Sequence, residues 1–166
     1  MKISNIITGI GCLILILALP MPWLTVGGQF NFSLADVYAQ ILQGSPLASQ
    51  LSRMLLEINN PYLPSIETIV ATLILYPIAI VLAALSIWFK KLSYAAGVLS
   101  ILAGLLWIFG IIYLKNLLIQ EGAKTGEILA PLSIRSVVQF INVGYGAYVA
   151  VVCGVILILA FYSGKT

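Results

Sequence analysis

The chain has 166 residues, of which 61% are apolar and only 8% are charged, whereas soluble domains carry about 25% charged residues. A chain of this composition cannot shield its apolar surface from water, so the bilayer is its expected solvent. The net charge of +3 comes from scattered Lys and Arg residues without a basic stripe, which argues against a nucleic-acid partner.

The first apolar run begins at Ile3, directly after Lys2. A basic start before an apolar core is also typical of a cleaved signal peptide, but no small-residue cleavage site follows and the run ends in Pro20. We therefore predict a first transmembrane helix over residues 3–22, with Trp23 as its aromatic anchor at the membrane interface.

Residues 23–65 form the one long segment that is not simply membrane-crossing, and we predict that they form an outer cap. The segment opens with two short strand-like runs around a Gly-Gly turn, which predict a β-hairpin. Ser33, with Asp36 three positions later, predicts a capping box that starts an amphipathic helix. A second amphipathic helix is expected with Pro46 at its first position.

The two amphipathic helices of the cap each present one apolar face. These faces could fold over the bundle, dock a partner chain or lie in the membrane interface. Their polar faces carry few basic residues, which argues against tight binding to anionic lipid. We predict partner contacts through an apolar set of the cap: Trp23, Leu34, Val37, Tyr38, Ile41, Leu47, Leu51, Met54 and Leu55.

Three further apolar runs predict three more transmembrane helices, which together with the first make a four-helix bundle in one domain, residues 1–166. They cover residues 66–89, 92–121 and 137–162, with a second outer loop at 122–136. The fold class is therefore an all-α membrane protein, whose outer cap consists of a short β-hairpin and two amphipathic helices.

The second and third predicted helices carry specific local signals. Ser65 is the predicted N-cap of the helix over 66–89, and Glu67 is expected in its first turn, where the helix dipole favours an anion. Pro77 is expected to kink this helix. The helix over 92–121 is about 45 Å long at ~1.5 Å per residue, so its end should project beyond a ~30 Å hydrocarbon core.

Small residues recur every four positions in the last two predicted helices, which allows their backbones to approach closely. We expect packing within the chain rather than a dimerisation face. The residues are Ala96, Ser100 and Gly104 in one helix and Gly146, Ala150 and Gly154 in the other.

The distribution of charge predicts the orientation. Lys2, Lys90, Lys91 and Lys165 flank one side in short segments, and all five acidic residues fall on the other side. Since positive residues in short loops mark the cytoplasmic face, we predict a multi-pass protein of the cell membrane with both termini in the cytoplasm.

The chemistry of the side chains argues against an enzyme. The chain contains no histidine, and we predict no catalytic residue, no cofactor and no metal site. Cys12 and Cys153 both fall inside apolar runs and are expected to be small core residues rather than disulfide partners. A transport pathway would place ionisable groups in mid-membrane, and the apolar runs offer none there.

The layout resembles the claudin-type tetraspan arrangement. The shared features are a first helix that ends in Pro20-Met21-Pro22-Trp23, strand-like residues after it, a shorter second outer loop and a third helix that overshoots the membrane. The Gly-Leu-Trp signature and the two outer cysteines of that family do not occur here. The resemblance implies a non-enzymatic protein that works through lateral or surface contacts.

These observations lead us to expect a structural or assembly role. The expected partners are membrane lipid and other membrane protein chains or further copies of the protein itself. An accessory subunit of a larger membrane complex, for example a respiratory one, without cofactor ligands is the alternative. A small channel or carrier is a third candidate, which needs a polar path that the sequence barely offers.

Overall fold

A computed structural model describes residues 3–27, 30–43, 61–124 and 141–163, except for the side chains of residues 3 and 121–124. Within these ranges the chain is mostly helical, with a small sheet at one end of a helix bundle. The elements in chain order are α1 (Ile3–Ala18), β1 (Pro22–Val26), β2 (Phe30–Ser33), α2 (Leu34–Leu42), α3 (Leu63–Leu85), α4 (Lys91–Lys124), β3 (Ile141–Val143) and α5 (Tyr145–Ser163).

The bundle is a ring of four helices. Helix α3 packs against α4, α4 packs against α5, and α1 closes the ring against α5 and α3. Three of them, α3, α4 and α5, are long and apolar enough to cross a membrane, whereas α1 is a shorter apolar helix of 16 residues. The chain therefore has the structure of a helical membrane protein, and the end of the bundle that carries the strands is called the sheet end below.

The first helix is shorter than the predicted span of 3–22, because α1 ends at Ala18 and Pro22 already belongs to β1. Pro20 and Pro22 lack the N–H group that a continuing helix needs. The prediction that Trp23 anchors the chain at the membrane interface is wrong, since this side chain is completely buried in the bundle.

The helix predicted over 66–89 is α3, which begins three residues earlier and ends four residues earlier than expected. Pro64 lies in its first turn, where the missing N–H of a proline would be unpaired in any case. The predictions that Ser65 is the N-cap and that Glu67 lies in the first turn are therefore wrong. Pro77 lies inside the helix, as expected.

Helix α4 is longer than the predicted range of 92–121. Its 34 residues correspond to about 51 Å at ~1.5 Å per residue, well beyond a ~30 Å hydrocarbon core. The helix is thus longer than the hydrocarbon core is thick, as expected, and the projection of its end from the membrane stays a prediction.

The helix predicted over 137–162 begins later, because residues 141–143 form β3 and α5 starts only at Tyr145. Gly144 separates the two elements. Its N–H donates to the Trp23 carbonyl at 2.8 Å, and a Cβ at this position would collide with the main chain of Pro22. The contact with β1 therefore draws these residues into a strand before the helix can begin.

The predicted hairpin is confirmed, and it is part of a larger sheet. Strands β1 and β2 are antiparallel, and β3 pairs with the other edge of β1, so the order is β2-β1-β3. Gly27 follows β1 with a φ of 66°, a left-handed conformation that glycine adopts without strain. The third strand was not predicted.

The predicted close packing of α4 and α5 within the chain is confirmed, although Gly97 and Ala147 take part in it and the predicted Gly146 lies against the Trp23 ring instead. A Cβ on Gly154 would lie 2.5 Å from the Gly97 carbonyl oxygen, so the two backbones are in direct contact. The Ser100 hydroxyl donates to the Ala150 carbonyl at 2.6 Å, which ties the helices at the same level. We call this contact the small-residue seam: Gly97, Ser100 and Gly104 on α4 with Ala147, Ala150 and Gly154 on α5.

Candidate interaction surface at the sheet end

Three aromatic side chains meet where the sheet joins the bundle. The Trp23 ring contacts Tyr76 edge-on, with centroids 4.9 Å apart and planes at 77°. It contacts Trp107 in the same way, with centroids 5.7 Å apart and planes at 88°. Edge-to-face contacts of this kind are worth about 0.5–1.5 kcal/mol each beyond the area they bury. Trp23, Tyr76 and Trp107 are called the aromatic junction below.

The polar atoms of the aromatic junction bind main-chain carbonyls. Trp23 Nε1 donates to the Ala18 carbonyl at 2.8 Å. The carbonyl of Trp23 itself accepts from Trp107 Nε1 at 2.7 Å and from the Gly144 N–H at 2.8 Å. One residue of β1 thus connects the end of α1, the middle of α4 and the start of α5.

The aromatic junction also supplies hydrogen-bond donors to the last carbonyl groups of α1. The last carbonyls of a helix have no partner within the helix and must find one elsewhere when they are buried. The Leu15 carbonyl accepts from the Tyr76 hydroxyl at 2.8 Å, and the Ala18 carbonyl accepts from the Trp23 indole. The Leu19 carbonyl, just beyond the helix, accepts from the Ala35 N–H at 3.2 Å. Helix α1 therefore ends against α3, β1 and α2.

Helix α2 begins with the predicted capping box. The Asp36 N–H donates to the Ser33 hydroxyl oxygen at 3.1 Å, and the Ser33 N–H donates to the Asp36 carboxylate at 3.1 Å. The Ser33 hydroxyl also donates to this carboxylate at 2.6 Å. These bonds hold the pKa of the Asp36 carboxyl below its usual range, because they favour the charged form. Helix α2 ends at Leu42 with Gln43 as its C-cap; Gly44, the predicted stop, lies outside the described residues.

Tyr38 of α2 binds to α3 at the point where Pro77 interrupts the helix. In a regular helix the Leu73 carbonyl would accept from the N–H four residues later, but residue 77 is a proline and has none. The Tyr38 hydroxyl donates to this carbonyl at 2.8 Å instead. Burial raises the pKa of Tyr38 to about 12, so its hydroxyl remains a donor. Helix α2 is thereby fixed to the proline site of α3.

The predicted partner-binding residues are placed as follows. Trp23 and Leu34 are completely buried, so neither has exposed surface to offer a partner. Val37, Tyr38 and Ile41 are half-buried and pack against the core of the bundle. In the described part of the cap, the apolar face of the helix is thus directed towards the protein's own bundle. The remaining four predicted residues lie outside the described ranges: Leu47, Leu51, Met54 and Leu55.

The sheet has an apolar face and a polar face. Residues paired across strands lie on the same face, so the register places Thr25, Asn31 and Asn142 together on the polar one. On the apolar face, Leu24 and its neighbours from β3 pack against the core. The full apolar face comprises Leu24, Val26, Phe30, Phe32, Ile141 and Val143.

Two phenylalanines of the apolar face remain exposed. Phe30 has 66% and Phe32 45% of its surface accessible. Both lie on β2, which is an edge strand of the described sheet. Phe30 and Phe32 were not among the predicted contact residues, although their alternation with Asn31 is a typical signal of a two-faced strand. They form the candidate interaction surface.

The described residues show no arrangement of reactive groups. Cys12 and Cys153 are free and buried, as expected, and Cys153 Sγ donates to the Gly11 carbonyl at 2.9 Å. No three His, Cys, Asp or Glu side chains come together in a way that could hold a metal ion in this part of the chain. Among the described residues of the sheet end, the polar groups named above take part in hydrogen bonds between elements.

Comparison with known proteins gives no relative: no protein-family model matches the chain, and no curated protein matches it at a significant level.

Proposed function

We propose that the protein is a non-enzymatic integral membrane protein with a structural or assembly role, which contacts other membrane proteins through the sheet end. The observation that carries this proposal is the hydrogen bonding of buried polar side chains between helices. Three buried hydroxyl groups donate to main-chain carbonyls of a neighbouring helix: Thr72 to Ala103 at 3.1 Å, Ser93 to Leu157 at 2.7 Å and Ser100 to Ala150 at 2.6 Å. Polar groups committed to holding helices together favour a rigid scaffold over a pathway or a reaction site.

The proposed membrane placement uses four spans. Helices α3, α4 and α5 have the required length and apolar composition. Helix α1 packs beside α5 and α3, and it turns a row of large aliphatic side chains outward at helical spacing: Ile6, Ile10, Leu13 and Leu17. An exposed aliphatic stripe on a bundle helix is typical of a surface that meets lipid. This supports α1 as the fourth span.

The proposed orientation places the sheet end outside the cell. Lys90 lies in the short connection at the opposite end of the bundle, and Lys91 is the first residue of α4. Positive residues at short connections mark the cytoplasmic side. Both termini are then cytoplasmic. The resemblance to the claudin-type arrangement rests on this topology and stays a prediction.

The distribution of charge in the helices also favours a scaffold. Helices α1 and α5 contain no charged residue, and α3 contains only Glu67 near its start, where the side chain is exposed. Carriers and channels place ionisable groups on their pathway inside the membrane despite the cost. The described helices offer no such group at mid-depth.

The proposed contact surface is the pair Phe30 and Phe32. Exposed aromatic side chains on an edge strand outside the hydrocarbon core are in contact with water, which is unfavourable by about 25 cal/mol per Å² of apolar surface. A partner chain that covers them would gain this energy and could also pair with β2, which is an edge strand of the described sheet. We propose a membrane protein or a second copy of the chain as the occupant.

The experiment is purification from native membranes in mild detergent, with the mass of the particle measured by light scattering. We expect the wild-type protein in an assembly and a double variant, Phe30→Ser with Phe32→Ser, as a monomer. Phe89→Ser is the matched control, because Phe89 is similarly exposed at the opposite end of the bundle. A monomeric wild-type particle would refute the proposal. Stoichiometric co-purification of a cofactor-bearing protein would identify the chain as an accessory subunit.

A further inference from the structure

A small cavity at the sheet end lies outside the surface described above. It has a volume of about 220 Å³ and opens between α4, β3 and the first turn of α5. Its lining is formed by the apolar side chains of Ile111, Ile112, Ile141 and Val143 and by the polar residues Lys115, Asn142 and Tyr148. A cavity that is apolar on one side and carries a cation on the other fits an amphiphile with a negative charge.

The cation of this cavity, Lys115, has one hydrogen-bond acceptor among the residues that the structure describes. Lys115 is half-buried, and its ammonium donates to the Ile141 carbonyl at 3.2 Å. An ammonium group has three protons to donate, and a carbonyl carries no formal charge. Among the described residues no carboxylate pairs with Lys115, so within them its positive charge has no counter-ion beside the apolar lining of the cavity.

The position of the cavity along the helices indicates which anion it meets. Lys115 follows Lys91 by 24 residues, which is about 36 Å of helix at ~1.5 Å per residue. If Lys91 lies at one face of a ~30 Å hydrocarbon core, Lys115 reaches the headgroup layer of the other face. Tyr145 and Tyr148 are exposed at the same end, as aromatic side chains at a membrane interface commonly are. Ile111 and Ile112 lie about one turn deeper, towards the acyl chains.

We propose that this cavity binds the phosphodiester group of an outer-leaflet phospholipid. The Lys115 ammonium and the Tyr148 hydroxyl contact the phosphate oxygens, and the isoleucines and Val143 contact the glycerol and the first methylene groups. This proposal rests on the membrane placement given above but not on the scaffold role, since it involves neither Phe30 nor Phe32. A lipid at this position would fill the space between α4, β3 and α5 and stabilise the sheet end.

The experiment uses the full chain, purified and depleted of lipid in detergent. Three probes are added separately: phosphatidylglycerol, diacylglycerol with the same acyl chains, and inorganic phosphate. Lipid binding is counted by native mass spectrometry, and the unfolding midpoint is measured in parallel. We expect one retained phosphatidylglycerol with a raised midpoint, and no comparable effect of the other two probes. Equal retention of diacylglycerol, or equal protection by inorganic phosphate, would overturn the proposal.

Substitutions of Lys115 test whether the lipid binds at this cavity. Lys115→Gln is expected to weaken the binding of phosphatidylglycerol about tenfold through the loss of a charge-assisted hydrogen bond, whereas Lys115→Arg keeps the charge and should retain binding. Lys91→Gln removes an exposed lysine at the other end of the same helix and should change nothing. The midpoints without lipid show whether each variant is folded. Undiminished binding in Lys115→Gln, or an equal loss in Lys91→Gln, contradicts the assignment.

Discussion

The small-residue seam and the aromatic junction both hold elements of the bundle together, the first through small residues and the second through large side chains. Along the seam, α4 and α5 approach until their backbones touch, because Gly97 and Gly154 have no side chains to separate them. At the junction, large rings fill a wide gap between α1, α3, α4 and β1, and their N–H and O–H groups reach distant carbonyls. The seam depends on residues that have no side chain or a small one, whereas the junction depends on large aromatic side chains. Their responses to substitution should therefore differ in kind.

The largest effect is expected at the junction. Trp23→Ala removes the ring that contacts both Tyr76 and Trp107 and the donor to Ala18. Losing a buried tryptophan side chain typically lowers the free energy of unfolding by about 4 kcal/mol. Trp88→Ala is the control, because Trp88 is 73% exposed, and a change within about 0.5 kcal/mol is expected there. Reversible unfolding in mixed detergent micelles, followed by circular dichroism, measures both. Equal losses in the two variants would contradict the central position of Trp23.

At the seam, the smallest possible addition should be harmful. Gly154→Ala places a methyl group against the Gly97 carbonyl, and we expect a loss of about 2–3 kcal/mol in the free energy of unfolding through overpacking. Gly9→Ala is a matched control in α1, where an added Cβ meets no atom within 4 Å. That variant should be unchanged or more stable by up to ~1 kcal/mol, since alanine favours helix. A neutral Gly154→Ala would show that the helices can separate at little cost.

The contact of α2 with the proline site predicts a coupling between two residues. Tyr38→Phe removes the donor to the Leu73 carbonyl and should lower the free energy of unfolding by about 1.5 kcal/mol, because the carbonyl has no N–H from residue 77. In a Pro77→Ala background the alanine N–H can take over as donor. The same Tyr38→Phe change should then cost about 1 kcal/mol less. A double-mutant cycle measures this coupling, and equal costs in both backgrounds would refute it.

The smallest changes in the free energy of unfolding are expected for two buried serines, Ser100 and Ser65, and the two changes should differ in sign. Ser100→Ala breaks the hydroxyl bond to Ala150 across the seam and is expected to lower the free energy of unfolding by about 1 kcal/mol. The hydroxyl of Ser65 is equally buried but has no hydrogen-bond partner in the described ranges. Ser65→Ala therefore should be neutral or stabilising by up to ~1 kcal/mol. The unfolding assay in micelles ranks the two, and a larger loss for Ser65→Ala would reverse this account.

The difference between the two contacts also explains what could be predicted from the sequence. The seam was predicted in part, because Ser100, Gly104, Ala150 and Gly154 belong to small residues spaced four apart along each helix, whereas Gly97 and Ala147 were not among the predicted residues. The start of α2 was predicted for a similar reason, since Ser33 and Asp36 are only three residues apart. A sequence pattern that lies within a single helix can be recognised without knowledge of the fold.

Contacts between distant parts of the chain were not predictable in the same way. Strand β3 pairs Val143 with Leu24, and the sequence around residue 143 was interpreted as part of the apolar run of the last helix. Trp23 is of the residue type, and at the position, expected of an interfacial anchor. Only the packing of Tyr76 and Trp107 around it shows that it is buried. The exposed pair on β2 was missed because a two-faced strand is recognised from its partners as well as from its own alternation.

The aromatic junction contains the buried aromatic side chains of the described residues, Trp23, Tyr76 and Trp107, whereas Phe30 and Phe32 are the exposed aromatic pair of the described sheet. The most direct test of their role is crosslinking in intact membranes, with a photoreactive phenylalanine analogue in place of Phe32. A second chain carries the analogue in place of Leu105, which is similarly exposed on the side of α4. The account predicts a discrete protein adduct from position 32 and lipid adducts alone from position 105. Lipid adducts alone from both positions would contradict it.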